Sequence, residues 1–171
     1  MKKILLVLCF IMLLAVPAFA VTNGDSSCAI SVGTSTTTNA RIPDSETVIV
    51  TLTCTADSGD GSYATKDIPL AGAASSLTAY NLYGYYLYEV GRKPGSPAID
   101  ASYTVTITDA RAFAIDLGLL TSNGSHSAAQ LNAIYSTAVS YPVVRSIPTV
   151  AITGNSTVSA KVILDLVFKA K

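Results

Sequence analysis

Alternation of apolar with polar, mostly hydroxyl-bearing residues is what most limits how this chain can fold. In residues 101–108, Ala101, Tyr103, Val105 and Ile107 hold one parity and Ser102, Thr104, Thr106 and Thr108 the other. An extended segment with that pattern buries one face and wets the other. Residues 47–55 repeat it, with Val48, Val50, Leu52 and Cys54 inward and mostly threonines outward. A third stretch, 157–168, sets Val158, Ala160, Val162, Leu164, Leu166 and Phe168 against Thr157, Ser159, Lys161, Ile163, Asp165 and Val167. The turn sequence Gly154-Asn155-Ser156 precedes it, so 147–153 is predicted to be its hairpin partner.

Charged residues make up only 13% of the chain, and β-branched runs are separated by Gly, Asn, Asp and Pro. Residues 82–90 read as another strand and 113–117 as a short one. Ala128, Leu131, Ile134 and Tyr135 have helical spacing, which predicts a turn or two of helix near 127–135. The run Asp57-Ser58-Gly59-Asp60-Gly61-Ser62 reads as a turn or loop. The predicted fold class is all-β, a two-layer antiparallel β-sandwich of about seven or eight strands with that one short helix.

The N-terminus carries an export signature. Lys2 and Lys3 precede an unbroken apolar run over 4–16, and Pro17-Ala18-Phe19-Ala20 places small residues where a signal peptidase reads them. Cleavage is expected after Ala20, leaving a single β-sandwich domain over 21–171. The apolar run is shorter than the roughly 20 residues a membrane span requires, so no span is expected after cleavage. Losing Lys2 and Lys3 leaves nine basic against eleven acidic residues, a net charge near −2. That balance gives nucleic acid no electrostatic footing. Secretion or periplasmic residence follows as the expected location.

Cys9 leaves with the leader, so the mature chain keeps Cys28 and Cys54. An even pair in an exported protein predicts a disulfide. Parity agrees: Cys28, Ile30 and Val32 share one face of a strand, and Val48, Val50, Leu52 and Cys54 share another, which turns both sulfurs toward the core.

Constellations for chemistry are sparse. His126 is the only histidine, set in the polar run Ser122–Ser127 with no Gly-x-Ser-x-Gly elbow in the chain. Two cysteines and one distant histidine do not make a zinc set. Asp57, Asp60 and Asp67 lack the spacing of a known calcium loop. The Asn123-Gly124-Ser125 and Asn155-Ser156-Thr157 sequons are too short to carry weight. The remaining carboxylates are scattered, so no catalytic, metal or cofactor site is expected and the chain is read as a non-enzyme. The most distinctive feature is the run over 80–88, which holds five of the nine tyrosines. Tyr83, Tyr85, Tyr86 and Tyr88 are the candidate binding surface, either as rings packed at the core rim or as an aromatic platform for sugars or a subunit contact.

Residues 82–168 resemble small virion- or tail-associated β-sandwich proteins encoded by tailed bacteriophages and prophages. The residues that carry the likeness are Tyr83-Gly84-Tyr85-Tyr86-Leu87-Tyr88, Pro94-Gly95-Ser96-Pro97, Tyr103-Thr104-Val105-Thr106-Ile107-Thr108-Asp109, Leu117-Gly118-Leu119-Leu120 and Pro148-Thr149-Val150-Ala151-Ile152-Thr153. The resemblance implies a compact sandwich that works in assembly or attachment. The leader and the cysteine pair lie outside the phage pattern and point to an envelope or extracellular protein with the same domain. The expected function is therefore an exported structural or attachment module, with self-association or a protein partner. The alternative is a secreted carbohydrate- or ligand-binding domain using the tyrosine strand. Residues 21–27 are short and polar and offer no evident donor arm for strand exchange between subunits.

Overall fold

A computed structural model of the chain describes residues 25–36, 46–73, 79–101, 103–116, 120, 128–134 and 143–170. The predicted leader, His126 and the sequon at Asn123 lie outside the described residues. The fold is all-β, with ten strands paired antiparallel and no helix among the described residues. In chain order they are β1 (Ser27–Thr36), β2 (Glu46–Thr55), β3 (Lys66–Asp67), β4 (Ala71–Ala73), β5 (Ala79–Asn81), β6 (Tyr86–Pro94), β7 (Thr104–Thr108), β8 (Gln130–Ala133), β9 (Thr149–Thr153) and β10 (Lys161–Lys169).

A five-stranded sheet has the order β1-β2-β10-β6-β8, a three-stranded sheet the order β3-β9-β7, and β4 pairs with β5 alone. Alternation determines which side of each strand is buried. Val48, Val50, Leu52 and Cys54 on β2 face the same way as Val162, Leu164, Leu166 and Phe168 on β10, and every one of them is fully buried. They join Tyr103, with Val105 and Ile107 of β7 and Val150 and Ile152 of β9, in one apolar cluster drawn from both larger sheets. Full burial of such side chains contributes about 1.5–3 kcal/mol each before chain entropy is counted.

Several expectations change, and in place of the short strand expected over 113–117 the described residues there make only a single bridge, at Ala114 to Thr108. Residues 147–153 do not form a hairpin with the last strand: β9 pairs with β7 and β3, whereas β10 lies between β2 and β6. Residues 155–157 are instead held by Asp100, whose N–H donates to Asn155 Oδ1 (3.0 Å) and whose carboxylate accepts from Ser156 N (2.5 Å), Ser156 Oγ (2.6 Å) and the Thr157 hydroxyl. Val158, expected inward, is 45% exposed in that connection. The helix expected near 127–135 is replaced over 130–133 by β8, which pairs with β6 from Glu89 to Arg92. Leu131 is 68% exposed while Ile134 is buried, so these two residues do not share a face. Non-local pairing has overridden a weak local period. The strand expected over 82–90 is broken at Gly84, whose φ of +90° makes a turn between β5 and β6.

The disulfide joins Cys28 and Cys54, which stand directly opposite each other in the β1–β2 ladder. The 57–62 turn is ordered by Asp57, whose carboxylate accepts from Gly59 N (2.7 Å) and Asp60 N (3.2 Å). Asp67 accepts from the Thr149 hydroxyl at 2.6 Å on the neighbouring strand, away from that turn.

Candidate functional site

The four candidate tyrosines do not share a surface. Tyr83 is 62% exposed in the turn after β5, and Tyr85 packs against the core. Tyr86 and Tyr88 lie on the outer face of the five-stranded sheet, and a bulge puts them there. Val167 pairs with Glu89 and Phe168 with Leu87, so Tyr88 is an extra residue on β6. The bulge shifts parity, sending Leu87 inward to the same face as Val90 and leaving tyrosines outward on either side. The Tyr86 and Tyr88 rings meet edge to face at 6.4 Å, and Lys169 Nζ sits 3.5 Å from the Tyr88 ring centre. The ammonium already covers one face of that ring, where a sugar would stack.

Next to this pair the strand registers set out cross-strand rows on the same face. One row runs Ile49, Val167, Glu89, Ala133 and the next Thr51, Asp165, Gly91, Leu131. Gly91 leaves a groove of about 430 Å³ between Asp165 and Leu131. A Cβ at 91 would stand 3.3 Å from Asp165 Cβ. Burial pushes the Asp165 carboxyl up, but hydrogen bonds from Lys93 Nζ and the Thr51 hydroxyl, both at 2.7 Å, outweigh it and hold the group below its ordinary range.

A second site, at the end of the three-stranded sheet, was not anticipated. Past β7 the chain turns back so that Ile115 N donates to Ile107 O at 2.9 Å. The turn is organised by Asp109, which is 6% exposed. Its Oδ1 accepts from Arg111 N (2.9 Å) and Phe113 N (3.0 Å), and its Oδ2 from Arg111 Nε (3.0 Å) and Nη2 (2.7 Å). The Arg111 side chain is the largest of the causes that hold the Asp109 carboxyl below its usual range. Ala112 has a φ of +62°, a left-handed conformation uncommon for a residue with a Cβ. Ala110 N donates to Ser146 Oγ at 3.1 Å, which ties the turn to the segment before β9.

This rigid turn presents two side chains to solvent. Phe113 is 62% exposed and the Arg111 side chain 60%, with the guanidinium carbon 5.1 Å from the Phe113 ring centre. Together with Arg145, Ile115 and Val143 they line a pocket of about 350 Å³. Asp109 neutralises Arg111, whereas Arg145 has no ion-pair partner among the described residues. The pocket thus has an apolar wall, an aromatic ring and one unneutralised guanidinium, a combination that suits a carboxylate carried on an apolar body. The signal in the sequence was Asp109-Ala110-Arg111-Ala112-Phe113 directly after an alternating strand. It names a turn but not the side chains that the turn presents.

Comparison of the chain with family models, with curated proteins and with solved structures returned no match.

Proposed function

We propose that this chain is an exported, non-enzymatic assembly subunit, a β-sandwich module that attaches to a neighbouring copy through the pocket at the 109–113 turn. The observation that carries this reading is the pairing of an exposed Phe113 with Arg111 on a backbone locked by Asp109, beside the unneutralised Arg145. Aromatic and arginine side chains are enriched in protein interfaces, and a rigid presenting turn loses little entropy on docking. The exposed Asp60 turn offers a carboxylate that could pair with Arg145. The resemblance to phage-encoded sandwich proteins supports the same reading, as a domain of that type working in the envelope or outside the cell. A sugar-binding role has weaker support, because the tyrosines are dispersed and Lys169 occupies the Tyr88 ring face.

Light scattering on leader-free protein over a range of concentrations should show self-association that falls with added salt and is lost in Phe113→Ala and Arg145→Glu. Protein that stays monomeric throughout, or association indifferent to both substitutions, removes the reading.

A further inference from the structure

Arg92 lies on β6 at an inward position, in register with Leu164 on β10 and Gln130 on β8. It is 2% exposed. Its Nε donates to Asn132 Oδ1 at 3.0 Å, and its guanidinium carbon is 5.8 Å from the Tyr103 ring centre. Among the described residues no acceptor meets Arg92 Nη1, and none meets the hydroxyl of Tyr103, which is fully buried.

A buried lysine can shed its proton and escape the cost of desolvation. Arginine cannot, because its guanidinium stays charged at any pH a protein survives. An amide oxygen and an aromatic face offer partial compensation only. Burial also raises the Tyr103 phenol, against a smaller opposing effect of Arg92, so its O–H remains a donor. The interior therefore holds a full positive charge and two donor groups, Nη1–H and the phenol O–H, facing no protein acceptor among the described residues. A water molecule would satisfy the hydrogen bonds and leave the charge. A small acceptor-only anion satisfies both.

We propose that Arg92 and Tyr103 enclose a halide-sized monovalent anion, chloride in ordinary solution, as a structural element between β6, β8 and the start of β7. The site belongs to the interior and is independent of the pocket at the 109–113 turn. A ligand bound only by the folded state raises stability with the logarithm of its concentration. Each tenfold rise in chloride above the dissociation constant raises Tm by roughly 3–5 °C for a domain of this size.

The test is thermal unfolding of leader-free protein in sodium chloride, sodium bromide and sodium gluconate at equal ionic strength. Chloride and bromide should raise Tm in proportion to the logarithm of concentration relative to gluconate, and the difference should vanish in Arg92→Met and shrink in Tyr103→Phe. Bromide-soaked crystals should show an anomalous peak within hydrogen-bond reach of Arg92 Nη1 and the Tyr103 hydroxyl. If Arg92→Met does not fold, Tyr103→Phe and the bromide signal decide the matter alone. A wild-type Tm indifferent to the anion, the same anion dependence in wild type and variants, or no anomalous peak at the site overturns the proposal.

Discussion

Gly61 lies against the backbone of Ser156: a Cβ built at position 61 would stand 2.6 Å from the Ser156 carbonyl carbon. Gly61 also has a φ of +74°, and its carbonyl accepts from Asn155 Nδ2. Gly61→Ala therefore meets both a backbone clash and a disfavoured conformation, and should destabilise the domain by about 2 kcal/mol or more. Urea unfolding of the variant measures this. A midpoint equal to that of the wild type would show that the turn and the 155–157 segment part without cost.

Leu52 and Leu164 are paired across the β2–β10 ladder and are both fully buried. Leu52→Ala and Leu164→Ala should each cost about 2–5 kcal/mol, because the surrounding strands cannot collapse into the space left. The double variant should depart from the sum of the two, since neighbouring cavities merge. Denaturant midpoints for the four proteins check both statements, and strict additivity would mean that the two sites relax independently.

The disulfide closes a separation of 26 residues between adjacent strands. Replacing Cys28 and Cys54 together by alanine should lower stability by about 3.5 kcal/mol on the chain-entropy model. Urea unfolding of the oxidised protein, with and without reductant, reads the same difference. Identical curves would show that the bond contributes nothing to the fold.

Acid should unfold this protein over a defined range. Asp100 is pulled down to about 2, first by the Ser156 hydroxyl and then by that of Thr157. Asp57 is lowered chiefly by the Gly59 amide, and Asp109 chiefly by Arg111. A carboxyl whose pKa is lower in the folded state than in the unfolded one binds its proton more readily after unfolding. Its contribution is therefore complete above the ordinary aspartate value near 4 and is lost as pH falls toward 2. Thermal unfolding midpoints should be level from neutral pH down to about 4 and drop steeply below it. In Asp100→Asn the drop should be shallower, and a midpoint falling already between pH 6 and 5 would contradict the assignment.

The strands that could be read from sequence are those with one wet face. At 47–55 and 103–108 Val48, Val50, Leu52, Cys54, Tyr103, Val105 and Ile107 all lie inside, since a one-residue slip would turn Val50 or Val105 to solvent. Partners are another matter. Alternation in 149–153 is the same whether that strand borders β10 or β7, and the choice is made by long-range contacts such as Asp100 with Ser156 and Thr157. The tyrosine run could not be assigned to one face because two devices interrupt it, the turn at Gly84 and the bulge at Tyr88. Arg92 was hidden for a different reason. Its parity with Val90 places it inside, but a charged side chain at such a position ordinarily reads as exposed. The Asp109 site depends on side-chain hydrogen bonds, which leave no periodic trace.

The placing of β10 has a consequence for how the molecule comes into being. Of the strands described it is made last, yet it fills the middle of the five-stranded sheet, flanked by β2 and β6. Until it arrives, β1–β2 and β6–β8 are two separate ribbons with a gap between them. A chain cut short before residue 161 loses the seam that unites them, so completion of the sheet must await nearly the whole polypeptide.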